Sequence, residues 1–134
     1  MEENLKQLLL KDLCARLPYR VKVKTPYNVA EFVGIVDRKG VRKDIDYTDI
    51  VTDKQTYPLR YCQPYLRPMS SMTEEEIKTY YSYCEYNDGD FNGEILYFDT
   101  IESFDYLTSI HIDYRGLIPM GLALEAPDDM YGKI

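Results

Sequence analysis

Asp88, Asp90 and Asn92 stand at alternate positions ahead of Gly93, and Asp99 closes the stretch. That spacing matches the EF-hand calcium loop, where alternating oxygen ligands surround the ion and glycine allows the sharp turn. The last ligand position holds Asp where a bidentate Glu is usual, and there is one such loop where EF-hands usually pair. The competing reading is an Asp/Asn/Gly turn feeding a short strand, with Asp99 as a helix N-cap. His111 is the single histidine. Without a second histidine or an adjacent cysteine, a multi-histidine zinc site is excluded. A dyad with Ser or Cys would depend on tertiary contacts. At a helix C-terminus, His111 otherwise reads as structural or as a partner of the helix dipole. The chain has no Gly-rich phosphate loop, dinucleotide fingerprint or nucleophile elbow. No cofactor is implied, and the expectation is a protein that is not an enzyme.

Two stretches have the chemistry of binding rather than catalysis. Arg20, Lys22 and Lys24 alternate with apolar residues, which puts three cations on one face of a strand and offers contacts to a phosphate backbone. The aromatics that would stack bases are scattered at Tyr19, Tyr27, Phe32 and Tyr47. Glu74, Glu75 and Glu76, followed by Tyr80 and Tyr83, offer the opposite chemistry: an acidic, tyrosine-rich helix face for a protein partner. Charge divides the chain in the same way. Residues 1–67 carry 13 Lys and Arg against 9 Asp and Glu, a net of +4; residues 68–134 carry 3 against 14, a net of −11. The chain has 14 Tyr, 4 Phe and no Trp, and tyrosine combines buried area with a polar tip.

These residues need elements to hold them. Leu5, Leu8, Leu9, Leu13 and Leu17 fall at helical spacing and predict an amphipathic helix over 3–17, with Lys6, Lys11, Asp12 and Arg16 largely off the apolar face. Pro18 ends it. Residues 19–24 alternate as a half-buried strand, 29–37 read as a second strand with Gly34 as a bulge, 41–47 as a third, and 55–61 as a fourth interrupted near Pro58. Residues 48–53 either continue the third strand or form a loop. The helix is expected to pack on Val21, Val23, Val33 and Ile35. Pro64 and Pro68 argue that the stretch 61–68 is extended but not a central strand. Thr73 with Glu76, or Ser71 with Glu74, makes a capping box for a helix over 73–86 whose apolar stripe is Ile77, Tyr80, Tyr81 and Cys84. A short strand over 94–98 and a helix over 100–111, in which Ile101, Phe104, Leu107 and Ile110 repeat every three residues, follow. Residues 113–124 read as a helical turn punctuated by glycines, and 127–134 as loose.

The expected fold is α+β, one domain over 1–134: an N-terminal helix, a four-stranded antiparallel meander or small SH3-like partial barrel, then C-terminal helices. Three cysteines without a C-x-x-C suggest buried reduced thiols. No apolar run approaches the roughly 20 residues of a bilayer span, and the acidic N-terminus is wrong for a secretory signal. The expectation is a cytoplasmic protein with no membrane partner.

The segments Lys11–Tyr19, Pro64–Glu76, Asp113–Ile118 and Gly121–Pro127 resemble a family of small uncharacterised proteins encoded by gut bacteria and by their phages or mobile elements. The resemblance implies a small accessory protein that binds a host protein or a small molecule. Residues 88–99 lie outside its segments. Together with the charge layout, it points to a non-enzymatic protein that acts on a partner through its acidic half. A nucleic-acid or nucleotide module using the basic strand face and a single calcium loop are the alternatives.

Overall fold

The leucine stripe predicted for the N-terminus folds as helix α1, Glu3–Ala15, with Leu9 and Leu13 fully buried. The computed structural model describes residues 3–37, 48–87 and 95–131. A 3-10 turn, Leu17–Tyr19, holds Pro18 and ends the helix two residues before the sequence suggested, leaving Leu17 exposed. Asp12 and Arg16, expected off the apolar face, are both wholly buried. Arg16 donates to both Asp12 oxygens at 2.8 and 3.1 Å and to the Ile112 carbonyl at 2.8 Å. Arg115 adds a bond to Asp12 at 3.1 Å. A buried charge persists only when paired and hydrogen-bonded, and this cluster ties α1 to the far end of the chain.

Among the described residues the sheet has six strands, not four. In chain order these are β1 (Lys22–Lys24), β2 (Val29–Asp37), β3 (Thr48–Thr52), β4 (Thr56–Pro58), β5 (Gln63–Leu66) and, last in the chain, β8 (Leu124–Glu125). The spatial order is β4-β3-β2-β1-β5-β8, an open sheet and not a closed barrel. All pairs are antiparallel except β5 with β8. The strand expected over 41–47 lies outside the described residues. Gly34 does mark a register shift in β2, between Phe32 and Gly34. The bulge leaves Phe32 buried and Val33 half exposed, so Val33 is not part of the core as expected.

Pro64 corrects the reading of the proline-rich stretch. It sits within β5, paired to Val23 of β1, while Tyr65 and Leu66 pair with β8 on the other side. A proline is tolerated here because the ladder to β1 spans two residues and needs little from its missing N–H. Beyond β5 the chain stays extended. The Arg67 N–H donates to the His111 carbonyl at 2.7 Å, and the Asp113 N–H donates to the Arg67 carbonyl at 2.8 Å.

The core gathers Leu9 and Leu13 of α1 with Val21, Val23, Phe32, Ile50, Tyr57, Leu59, Cys62, Leu66, Leu117 and Leu122, with Ile35 packed against it. Each large apolar side chain so buried is worth about 1.5–3 kcal/mol. The second half adds α2 (Glu74–Tyr83), strands β6 (Glu85–Asn87) and β7 (Leu96–Phe98), and α3 (Ile101–Ser109). α2 ends three residues early because the chain turns into β6. Residues 113–123 form turns ahead of β8: Asp113 accepts from the Leu117 and Ile118 N–H groups at 2.8 Å, and Gly116 and Gly121 take φ of 77° and 76°. The chain end is not loose through Tyr131. Its hydroxyl accepts from the Lys22 N–H at 2.9 Å and donates to the Tyr65 carbonyl at 2.6 Å. Among the described residues no helix is long and apolar enough to cross a membrane.

Candidate functional site

α2 and α3 begin with the same device. The Glu76 N–H donates to Thr73 Oγ1 at 3.1 Å while the Thr73 N–H donates to Glu76 Oε1 at 2.9 Å. In α3, Thr100 and Ser103 exchange the corresponding bonds at 3.0 and 2.8 Å. Each reciprocal pair satisfies two donors that a helix start leaves open. The helices are then locked together: the Thr100 hydroxyl donates to the Tyr83 carbonyl at 2.7 Å, and the Tyr83 and Tyr106 rings meet at 5.6 Å. Between them β6 and β7 pair with Tyr86 opposite Tyr97 and Glu85 opposite Phe98.

This lobe presents an aromatic surface. Ten of the eighteen exposed large hydrophobic side chains among the described residues lie between Ile77 and Phe104, each 39% exposed or more. Tyr81 packs on Tyr97 at 4.3 Å, with Tyr80 and Tyr86 continuing the run at 5.4 and 6.3 Å. Ile77 and Tyr81 belong to the apolar stripe read in α2, and Ile101 and Phe104 to the three-residue repeat read in α3. Periodicity identified an apolar stripe on each helix, but the cover is partial: Tyr81 packs on Tyr97 and Phe104 on Tyr114 at 5.1 Å, while among the described residues Ile101 stays 78% exposed. A cluster of exposed apolar residues rimmed by polar ones marks an interaction surface. Among the described residues of this lobe Glu74, Glu75, Glu85, Asp99, Glu102 and Asp105 are exposed against one exposed cation, Lys78, so its described surface is acidic.

The expected binding residues divide. Glu74 and Glu75 are exposed. Glu76 is not part of the face: it is buried, and Arg67 forks it at 2.7 and 2.8 Å. That pairing holds its carboxyl below the usual range, with the Thr73 N–H assisting. Tyr80 is half-buried, with its hydroxyl donated to Asp99 Oδ1. Burial, then the bonds to Asp99 and Cys84, raise its pKa. Tyr83 is exposed. Asp88, Asp90 and Asn92 lie outside the described residues. Asp99 is described, and its Oδ1 already accepts from Tyr80 and from Ser103 at 3.0 Å. Among the described residues no group of three or more His, Cys, Asp or Glu is placed to hold a metal.

The basic face is less open than its spacing suggests. Arg20 lies outside β1 in a left-handed conformation, and the Lys22 ammonium donates to the Met130 carbonyl at 3.3 Å. Lys24 is exposed. Phe32, counted as a stacking residue, is in the core; Tyr27 is exposed with its ring 6.2 Å from Tyr57; Tyr47 lies outside the described residues.

His111 is built into the structure. It follows α3 at φ 66° and stacks on Tyr131 at 3.7 Å, and its buried Nδ1 has no hydrogen-bond partner. Burial, with Arg16, Arg67 and Lys22 around it, lowers its pKa to about 4. It is therefore neutral near pH 7 and cannot be the cationic dipole partner it resembled in sequence. A cleft of about 320 Å³ beside it is lined by Arg67, Ser71, Thr73, Glu76, Asp128 and Tyr131. Several polar groups in its wall are already engaged: Ser71 Oγ donates to the Pro68 carbonyl at 2.7 Å, and Arg67 is held by Glu76. The cysteines split as well. Cys62 and Cys84 are buried, the Cys62 thiol being pushed up to about 11 by burial and Asp49, but Cys14 is exposed.

Sequence reasoning located the acidic, tyrosine-rich helix but missed Tyr86, Tyr97 and Phe98 as parts of the same surface. Their signal was present as a short β-rich run after a turn; what was missing was its pairing partner in β6. No family model matches the chain, and no curated protein and no solved structure is significantly similar to it.

Proposed function

We propose that this protein is a non-enzymatic binding protein that docks a partner protein on the α2–β6–β7–α3 lobe. The observation that carries the reading is the exposed Tyr81–Tyr97–Tyr86 run on a lobe whose charge is almost wholly negative. Interface centres are rich in tyrosine and other aromatics, and a charged rim sets partner choice and on-rate. The acidic rim selects a partner with a basic surface, as a nucleic-acid-binding host protein has. The resemblance to accessory proteins of gut bacteria and their phages agrees with a host protein as that partner. A nucleic-acid role through Arg20, Lys22 and Lys24 is less supported, since Lys22 is engaged and Phe32 is buried.

The test is capture from host lysate, with and without nuclease, by the wild type, by Tyr81→Ser/Tyr97→Ser, by Glu74→Lys/Glu75→Lys, and by charge reversal at Arg20, Lys22 and Lys24. Glu76 is left intact because it anchors α2. The expected result is nuclease-resistant capture lost in the tyrosine and glutamate variants. Capture that vanishes with nuclease and depends only on the basic trio overturns the reading.

A further inference from the structure

The aromatic lobe leaves one question of chemistry: which basic side chain it takes up. We propose that its occupant is an arginine-rich protein segment, whose guanidinium groups stack on Tyr81, Tyr97 and Tyr86 while rim carboxylates accept their N–H groups. This rests on the reading of the lobe as a docking face.

Three observations support arginine. The first is charge: six exposed acids against one exposed Lys among the described residues of 73–111 attract a cationic segment and oppose a second copy of the same face. The second is geometry. Glu74 lies two turns before Tyr81 on the same side of α2, and the Asp99 carboxylate holds the hydroxyl of Tyr80, whose ring adjoins Tyr81, so carboxylates flank the run. The third is the chain's own use of the same arrangement. Arg115 lies over the Tyr114 ring at 5.0 Å while donating to Asp12, and Arg16 lies over the same ring at 5.6 Å while forking Asp12. Arg60 lies over Tyr61 at 4.7 Å. All three cation–ring contacts among the described residues are arginine on tyrosine. The physical reason is general: a planar, weakly hydrated guanidinium can stack on a ring and still fork a carboxylate, whereas an ammonium is a strongly hydrated point charge.

The experiment measures binding of labelled nona-arginine and nona-lysine peptides to the full chain by fluorescence anisotropy at low and high salt. The variants are Tyr81→Leu/Tyr97→Leu, Tyr81→Phe/Tyr97→Phe and Glu74→Lys/Glu75→Lys, each checked for folding by circular dichroism. Nona-arginine is expected to bind the wild type about tenfold more tightly than nona-lysine, the scale of two stacked guanidinium groups. The Phe variant keeps that preference, the Leu variant loses it while still binding nona-lysine, and the glutamate reversal weakens both peptides. Equal affinity for the two peptides, or a preference for arginine that survives Tyr→Leu, overturns the arginine assignment and leaves the docking face standing. Binding of neither peptide at low salt overturns both.

Discussion

Arg67 and Glu76 close a two-point ion pair at 2.7 and 2.8 Å, and the same carboxylate caps the start of α2. The arginine uses its remaining reach on the Ile110 and Ser71 carbonyls, at 3.3 and 3.1 Å. One residue after β5 therefore fixes both the entry to α2 and the exit from α3. Arg67→Ala leaves Glu76 buried and unpaired, an error costing about 3 kcal/mol. Urea unfolding measures it, and a loss below about 1 kcal/mol, the level of an exposed pair, would show that the pair is not structural. Arg67→Lys restores charge without the fork and should recover only part of the loss.

Stability should fall with acid in a window set mainly by His111. The folded ring titrates near 4 against an ordinary 6.5. Between those values the unfolded chain binds the proton and the folded chain does not, so stability rises with pH there and is lost as pH drops from 6.5 to 4. Glu76, held low by Arg67, contributes stability that is complete above 4.5 and lost below it. His111→Phe keeps a ring on Tyr131 and removes the titration. Its melting temperature should vary less with pH than that of the wild type between 6.5 and 4; an unchanged slope rejects the assignment.

The two capping boxes should differ in cost. Thr73→Ala removes one cap, worth about 1 kcal/mol. Thr100→Ala removes a cap and also the bond from its hydroxyl to the Tyr83 carbonyl, so it should cost about 1 kcal/mol more. Chemical denaturation of the two variants compares them, and equal losses would mean that the bond between helices contributes nothing.

Tyr131→Phe removes one hydroxyl that serves two backbone groups, the Lys22 N–H and the Tyr65 carbonyl. The loss should be about 1–3 kcal/mol. Hydrogen exchange should quicken at the Lys22 amide first, and protection there equal to that of the wild type would contradict the role given to the hydroxyl.

Millimolar calcium is expected to leave the melting temperature unchanged. Asp99, the last ligand of the proposed loop, has one oxygen already shared by Tyr80 and Ser103. A ligand that prefers the native state would raise the midpoint. A rise of several degrees that Asp99→Ala abolishes would show that calcium competes successfully for that carboxylate.

The sequence by itself determined what short-range geometry dictates. The leucine stripe of α1, the Thr73–Glu76 box, the irregularity at Gly34, the inward Val21 and Val23, and the change of charge sign after residue 67 all follow from spacings of two to four residues or from composition. Tertiary structure decided what such spacings leave open. Period puts Ile77 and Tyr81 on one apolar stripe of α2 and Ile101 on another of α3; it carries no information about how far other elements cover them, and among the described residues Ile101 stays 78% exposed. Polar type argued that Asp12, Arg16 and Glu76 face solvent, yet each is buried against partners outside its own helix: Ile112 lies 96 residues from Arg16, Arg115 lies 103 from Asp12, and Arg67, nine residues before Glu76, reaches it from the end of β5. Pro64 entered a central strand because the ladder beside it is only two residues long, and β8 joined in parallel from near the chain's end. Contacts of that reach depend on how loops close over many residues, and among the described residues those closures leave Tyr81, Tyr83, Tyr86 and Tyr97 of the lobe exposed.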